Sequence, residues 1–544
     1  MTHFTVPNWG ENQMHGRIQE WPARMLAAVV CCSFCAAVQA QGVAPNDGRY
    51  ADDVSNAPAQ LENQPAAANA SMAAEMNADP AELAQRVADL EKALKKMDDK
   101  VKADKAAALN KPTIAVGGLI QVDTAMFGDK NAATLALPGP PLSGSDPFVD
   151  GTGFRRLRLQ ANGEFWYNTD YKMEVDFAST TRPTFKDVYF NIRELPLVQT
   201  IRIGRFKEPF GLEQQTSDRF TTFMERSMCD EGFIVPGRNI GGMMYGQSEN
   251  ERATFAFGCF LNQPGVENPP LFGYNVIPGA AVPQLPSGAT TLDDQPQGAM
   301  TMRGTWTPWY DEATVGELNG SRGLWHVGGA YSYRSDLGYR TAGHGVIASN
   351  YQVRPEANLA PVILNTTSFP AIDNQLFGFE TAFVYGSLSL QSEVFADCIQ
   401  QPGGTSATFT GAYAYASYFL TGENRNYNRK AGCFDRVKPF TNFFRVRTCE
   451  GDVANGWGAW EVAYRLSYVD MLDGLPNATT AATVGLGRAT DNTFGLNWYL
   501  NPYTKIMTNY IFTTFDRYDS IGGVTTFVPN HTVNTLEMRA AFDF

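Results

Sequence analysis

From Pro112 to the last residue, apolar and polar positions alternate with a period of two. That is the mark of extended strands whose two faces meet different surroundings. Between Arg155 and Phe165, the residues Leu157, Leu159, Ala161, Gly163 and Phe165 oppose Arg156, Arg158, Gln160, Asn162 and Glu164. Tyr171, Met173, Val175 and Phe177 oppose Lys172, Glu174 and Asp176, and Trp460, Val462, Tyr464, Leu466 and Tyr468 oppose Glu461, Arg465 and Ser467. Strands of soluble sandwiches alternate too, but run near 5–6 residues. Here the alternation persists for about ten, the length that crosses a bilayer as a tilted strand, and the apolar face is strongly aromatic.

The pattern predicts sixteen strands, near 113–127, 154–165, 171–178, 185–193, 200–206, 239–246, 253–261, 298–306, 324–333, 376–385, 388–396, 411–420, 459–469, 492–500, 505–514 and 534–544. An even number suits an all-β, antiparallel transmembrane β-barrel, and closure removes the unpaired edges that lipid does not tolerate. Short connections are expected after strands 2, 4, 6, 10 and 14, for example Gly386-Ser387 and Asn501-Pro502-Tyr503-Thr504, and longer ones after strands 1, 5, 7, 9 and 15. This fits short periplasmic turns and long external loops. Residues 421–458 break the rule, being a long connection on the side where turns are short. In the final strand, Leu536, Met538, Ala540, Phe542 and Phe544 alternate with Glu537, Arg539 and Asp543. A terminal strand ending in Phe544 resembles the signal that the barrel-assembly machinery reads.

Before the strands the texture differs. Met25–Val38 is a fourteen-residue apolar run, preceded by Arg24 and followed by the small-x-small site Val38-Gln39-Ala40. It is too short for a membrane helix and reads as a signal peptide over 1–40, cut after Ala40, with Met14 and Met25 as further candidate starts. Residues 41–80, rich in Ala, Asn and Pro, read as a flexible periplasmic linker. Within 81–109, Leu83, Val87, Leu90, Leu94, Met97 and Val101 recur at heptad spacing. They predict a short α-helical coiled coil, with a lone amphipathic helix as the alternative. The barrel domain is expected over 113–544.

Composition agrees with strands and loops: 35 Phe, 22 Tyr and 9 Trp stand beside 50 Gly and 31 Pro, and only 18% of residues are charged. A formal net charge of −13 with no Lys/Arg run argues against a nucleic-acid partner. Five cysteines lie outside the signal segment: Cys229, Cys259, Cys398, Cys433 and Cys449. Cys433 and Cys449 share one connection and are candidates for pairing in an oxidising compartment, the alternative being unpaired thiols throughout.

Several segments taken together resemble the phosphate-selective porin O and P family: Gly204–Gly211, Phe223–Ser227, Pro236–Gly241, Glu380 with Val384-Tyr385-Gly386, Leu390–Glu393, Tyr418–Glu423, Gly458–Glu461 and Gly495–Tyr499. The resemblance runs from about residue 113 to 544. It implies a homotrimeric, sixteen-stranded outer-membrane porin with loops folded into its lumen, including the connection 421–458. Arg86-Val87-Ala88-Asp89-Leu90-Glu91 resembles the short motif of three-stranded coiled coils.

Phosphate passage in that family implies basic residues along the pore. Alternation aims Arg156, Arg158, Lys172, Arg193, Arg202, Arg303, Arg334, Arg465 and Arg539 inward, and the same parity aims in Asp123, Glu164, Glu174, Asp176, Asp187, Glu380, Glu393, Glu461, Glu537 and Asp543. The two signs nearly balance, so placement along the pore decides selectivity more than the sum. The connection after strand 5 adds Lys207, Arg219, Arg226 and Arg238 among Glu208, Glu213, Asp218, Glu225, Asp230 and Glu231. The candidates for lining the pore and touching anions are Arg156, Arg158, Lys207, Arg219, Arg226, Arg238, Arg303 and Arg465, since guanidinium and ammonium groups suit small oxyanions. The competing expectation is that these charges pair across the lumen and hold loops in place.

His326, His344 and His531 lie far apart without ligand-spaced partners, and no nucleophile motif or phosphate-binding Gly loop appears, so neither a metal, a cofactor nor an enzyme activity is expected. Two functions stand. One is a passive diffusion channel for small hydrophilic solutes in the outer membrane, favouring phosphate or other anions. The other is a structural or adhesion barrel, embedded in outer-membrane lipid and tethered through its coiled coil.

Overall fold

In a computed structural model of the chain, residues 112–130, 148–178, 183–230, 235–262, 297–311, 323–335, 351–366, 371–401, 404–447, 453–474, 485–521 and 524–544 are described, with helical positions at 85, 89, 92 and 94–97. Sixteen strands form the wall: β1 Ala115–Lys130, β2 Gly151–Trp166, β3 Thr169–Asp176, β4 Thr184–Leu195, β5 Gln199–Lys207, β6 Arg238–Gln247, β7 Ala253–Asn262 and β8 Gln297–Asp311. They continue as β9 Gly323–Ser335, β10 Asp373–Tyr385, β11 Leu388–Gln400, β12 Ser406–Phe419, β13 Ala459–Asp473, β14 Gly487–Asn501, β15 Thr504–Ile521 and β16 Val524–Asp543. Each pairs antiparallel with its neighbours in sequence, and β1 closes on β16 with Leu119 opposite Asp543 and Asp123 opposite Arg539. Phe544 completes the seam, its N–H donating to the Gly118 carbonyl at 3.2 Å.

Burial along the strands is inside-out relative to a soluble protein. On β14, Asp491, Thr493 and Asn497 are buried while Phe494, Leu496 and Trp498 face outward, with Phe494 53% exposed. On β16, Glu537 and Arg539 are buried while Leu536, Met538 and Phe542 are exposed. An apolar, partly aromatic exterior around a polar interior is what a bilayer selects. Apolar core residues are found inside the barrel too, where Phe210, Phe223 and Ile363 of connecting loops pack on wall residues such as Phe395, Phe409 and Ile511.

Turns 167–168, 386–387 and 502–503 are short and share one end with the last residue, which is thereby the periplasmic end. The long connection predicted after strand 15 is instead a tight one at 522–523. Both strands run on, over 18 and 20 residues, and stand as a hairpin past the span a bilayer needs. Its Thr-rich, alternating sequence continues the strand pattern with polar residues suited to water. The connection 420–458 holds two small ribbons, Tyr427–Asn428 with Cys433–Phe434 and Phe444–Arg447 with Val453–Gly456. Cys433 carries a free thiol, and its candidate partner Cys449 lies outside the described residues.

The predicted signal peptide and linker lie outside the described residues. So do the heptad positions Leu83, Val87, Leu90 and Val101, whereas Leu94 and Met97 are helical and exposed.

Candidate channel lumen

The connection from β5 to β6 folds into the barrel. Gly211 takes φ 71, a left-handed conformation that glycine adopts without strain, and turns the chain into a single helical turn, α1 (Leu212–Gln215). The N–H groups of Leu212 and Glu213 donate to the two oxygens of Glu393 on β11, each at 2.7 Å. A Cβ at position 211 would sit 3.0 Å from the same carboxylate. Phe210 stacks on Phe395 at 6.0 Å and Phe223 meets Tyr415 edge-on at 5.4 Å. The alternation of apolar and charged residues in this loop thus serves two surfaces: rings pack on the β11–β12 wall while charges reach elsewhere.

Those charges strap the loop across the lumen. Asp218 lies 2.6 Å from Arg158 and 3.2 Å from Arg156 on β2, and 2.5 Å from Arg226. Glu225 takes both Nε and Nη2 of Arg155 at 2.7 Å and Arg539 of β16 at 2.5 Å. Burial opposes ionisation of Asp218, but Arg156, Arg226 and Arg158 hold its carboxyl well below the usual range. Glu225 is lowered likewise, burial being outweighed by Arg155, Arg539 and Arg156. On the far side Asn497 donates to Thr222 O at 2.7 Å and Lys505 to Thr221 O at 2.9 Å.

Two further connections enter. From the external end, the loop at 351–366 places Glu356 2.5 Å from Arg465 of β13, where it also accepts from Ser467 and Thr493 at 2.6 Å. Arg465 is 0% exposed and reaches Glu213 at 3.0 Å, joining both inward loops. From the periplasmic end, the 427–434 ribbon enters the lumen. The Gly432 carbonyl accepts from Arg303 at 2.8 Å, and Tyr427 meets His326 Nδ1 at 2.7 Å while His326 Nε2 faces Glu380 at 3.0 Å. Arg425 stacks on Phe434 at 3.6 Å, and Arg436 pairs with Asp543 at 3.0 Å.

Most of the sequence-predicted basic residues have a close carboxylate. Arg156, Arg158 and Arg226 meet Asp218; Arg238 meets Asp187 at 2.7 Å; Arg303 meets Glu380 at 2.6 Å; Arg465 meets Glu356 and Glu213. Lys207 donates only to backbone, to Gln214 O at 2.6 Å, and Arg219 has Gln160 at 3.2 Å with Asp543 no nearer than 3.8 Å. Arg202 lies 3.9 Å over the Tyr189 ring and bonds Asn191 at 2.8 Å, with no carboxylate at ion-pair distance among the described residues. Of these three, Arg219 lines a cavity of about 590 Å³ that opens at the periplasmic end between the β2–β4 wall and Ser217–Phe220, where Lys172, Arg193 and Arg436 stand beside Glu164, Asp170 and Asp543. Across the lumen, Glu393, Asp397 and Glu461 are held by neutral donors, Tyr413, Asn374 and Asn497 among them. Among the described residues, basic groups without a close carboxylate thus lie toward β2–β5, and carboxylates held by neutral donors lie toward β11–β13.

Against this geometry, residues 146–544 match the family described as phosphate-selective porin O and P. The chain belongs to that family. It is a porin, an outer-membrane channel. Porin O of Pseudomonas aeruginosa is 25% identical over 431 residues, which cover 75% of this chain and 84% of that protein. An uncharacterized protein of Caulobacter vibrioides is 24% identical over 324 residues, 59% of this chain and 56% of that one. Among solved structures, OmpT of Vibrio cholerae in its trimer form overlaps 80% of this chain and all of its own at 8% identity, with a TM-score of 0.41. An anion-selective porin from Comamonas acidovorans does so at 10% identity and 0.37. Overlaps this loose carry no argument about selectivity or assembly.

Several lumen residues of this porin escaped the sequence reading. Lys505 was legible, because it shares inward parity with Met507 and Asn509 on β15. Glu356, Arg425 and Arg436 sit in connections without a period, where nothing in the sequence announces that the chain turns inward.

Proposed function

We propose that this porin is a passive diffusion channel favouring small anions, with solutes passing along the β2–β6 side and no covalent step. The guanidinium groups there support the reading: among the described residues Arg202 has no carboxylate at ion-pair distance, and that of Arg219 is loose. Carboxylates on the opposite wall are sequestered by hydrogen bonds. A transverse field across a narrow, low-dielectric lumen raises the local concentration of the attracted ion. Guanidinium groups at the cavity suit phosphate through paired hydrogen bonds. Of the eight residues picked from sequence, Lys207 and Arg219 are the proposed anion contacts, with Arg202 added. Arg156, Arg158, Arg226, Arg303 and Arg465 instead set the shape of the lumen by holding loops, and Arg238 ties β6 to Asp187 of β4.

The test is the double variant Arg202→Gln, Arg219→Gln in planar bilayers. Its chloride-over-potassium permeability ratio falls and block of the chloride current by added phosphate weakens. An unaltered ratio contradicts the reading.

We further propose a homotrimer, exported through the 1–40 signal peptide and extended into the periplasm by the 41–80 linker and the 81–109 coiled coil. The exposed Leu94 and Met97, on the heptad seam, support this assembly. Assembly-machinery recognition of the Phe544 strand belongs to the same proposal.

A further inference from the structure

The connection 420–458 has a second half with a different environment from the first. Val437 packs inside the periplasmic rim with Phe419, Ala459 and Tyr499. Six residues later, Phe443 lies edge-on against Trp498 at 4.6 Å, and its N–H donates to Leu500 O at 2.6 Å. Trp498 shares the outward parity of Phe494 and Leu496, and it stacks on Trp460 of β13 at 5.0 Å. The chain therefore crosses the rim, and the Phe444–Arg447 and Val453–Gly456 ribbon lies outside the barrel. The Trp457 carbonyl accepts from Trp498 Nε1 at 2.8 Å, fixing the ribbon's return.

The outer ribbon and its flanks carry rings that the described residues leave largely uncovered. Phe440 is 71% exposed, Phe444 62% and Trp457 74%. Phe444 moreover takes φ 73, a left-handed conformation that strains a bulky residue. The exposed Arg445 follows it, a cation beside the rings. The ribbon is continuous with the exterior belt formed by Tyr418, Leu420, Trp460 and Trp498 at the periplasmic ends of β12–β14. Aromatic rings at that level occupy the boundary between headgroups and acyl chains, and a neighbouring arginine meets lipid phosphate.

We propose that residues 440–447 and 453–457 form a foot seated in the periplasmic leaflet, with phospholipid as partner, and that this foot holds the 427–434 ribbon in the lumen. One connection then works as a staple through the rim: its lumenal arm narrows the channel and its outer arm is anchored by lipid. The inference is independent of which ion the channel prefers.

Wild-type protein and W457F are reconstituted in vesicles of phosphatidylcholine with and without bromine high on the acyl chain, and the difference between them isolates Trp457 emission. Bromolipid quenches that emission roughly twofold or more, and aqueous iodide leaves it unchanged. Quenching by iodide without response to bromolipid overturns the proposal, as does shielding from both, which marks a contact with another protein subunit. A second variant, Phe440→Ser with Phe444→Ser, leaves the wall strands untouched. It shows more frequent partial closures and openings in single-channel records, and a trace indistinguishable from wild type overturns the coupling between the two arms.

Discussion

Asp218 on the inward loop lies 2.6 Å from Arg158 on the wall, and the pair is almost wholly buried. The same carboxylate serves Arg156 and Arg226, so one acid bridges three guanidinium groups, which Glu174, Asp176, Glu225 and Asp230 also face, and ties the loop to β2. Breaking a buried pair strands the remaining charge and costs about 3–5 kcal/mol. Asp218→Asn is therefore expected to loosen the loop and leave uncompensated positive charge in the lumen. Single-channel recording checks it: conductance becomes noisier and chloride preference increases.

The pH dependence follows from the same groups. Asp218 and Glu225 have folded-state pKa values below their ordinary 3.8 and 4.5, held there by arginines despite burial. Groups depressed on folding contribute stability that is complete above the unfolded value and is lost as pH falls through the folded one. Loop docking is thus expected to persist from pH 8 to about 5 and to fail only in strong acid. Protease cleavage within 208–230 across a pH series, using an acid-active protease at the low end, reads the docking directly.

Cys229 offers a probe of that docking. Burial raises its thiol well above the ordinary value, against the hydrogen bond with Ser227 at 3.3 Å. A thiol kept protonated and 0% exposed is expected to resist maleimide in wild-type protein and to react in Asp218→Asn. Mass spectrometry of the labelled protein distinguishes it from the exposed Cys259.

On the exterior, Phe494→Arg places a charge on the lipid face of β14 and is expected to cost about 2–4 kcal/mol, against 0–1 for Val524→Arg at the external hairpin tip. Equilibrium unfolding from vesicles measures the difference.

The wall was legible because period-two alternation is set by each strand's immediate surroundings, so Leu157 against Arg158 already says which side is wet. Strand number and closure followed from counting such segments. The hairpin of β15 and β16 was missed at its tip, where both faces meet water and the alternation weakens. Inside the lumen, local pattern has no hold. That Arg465 meets both Glu213 and Glu356, far away in sequence, depends on two connections meeting one wall strand in space. Parity placed Arg303 inward correctly but gave no sign that Glu380 and the Gly432 carbonyl take up its donors. Lys207 and Arg219 could not be told from Arg226 by sequence, since only the fold decides which cation gains a close acid.

Replacing 424–437 by a short turn removes the lumenal ribbon, and unit conductance is expected to rise. Deleting 41–111 is expected to leave a barrel that still conducts, because all sixteen wall strands lie after residue 112. Planar-bilayer recording of the two proteins checks both.

The central claim is that cations without tight partners along β2–β6 govern the field of this porin. Reversal potential of the purified protein across a KCl gradient tests it most directly. The account predicts a potential displaced toward the chloride limit. A value at zero or displaced toward the potassium limit would contradict it.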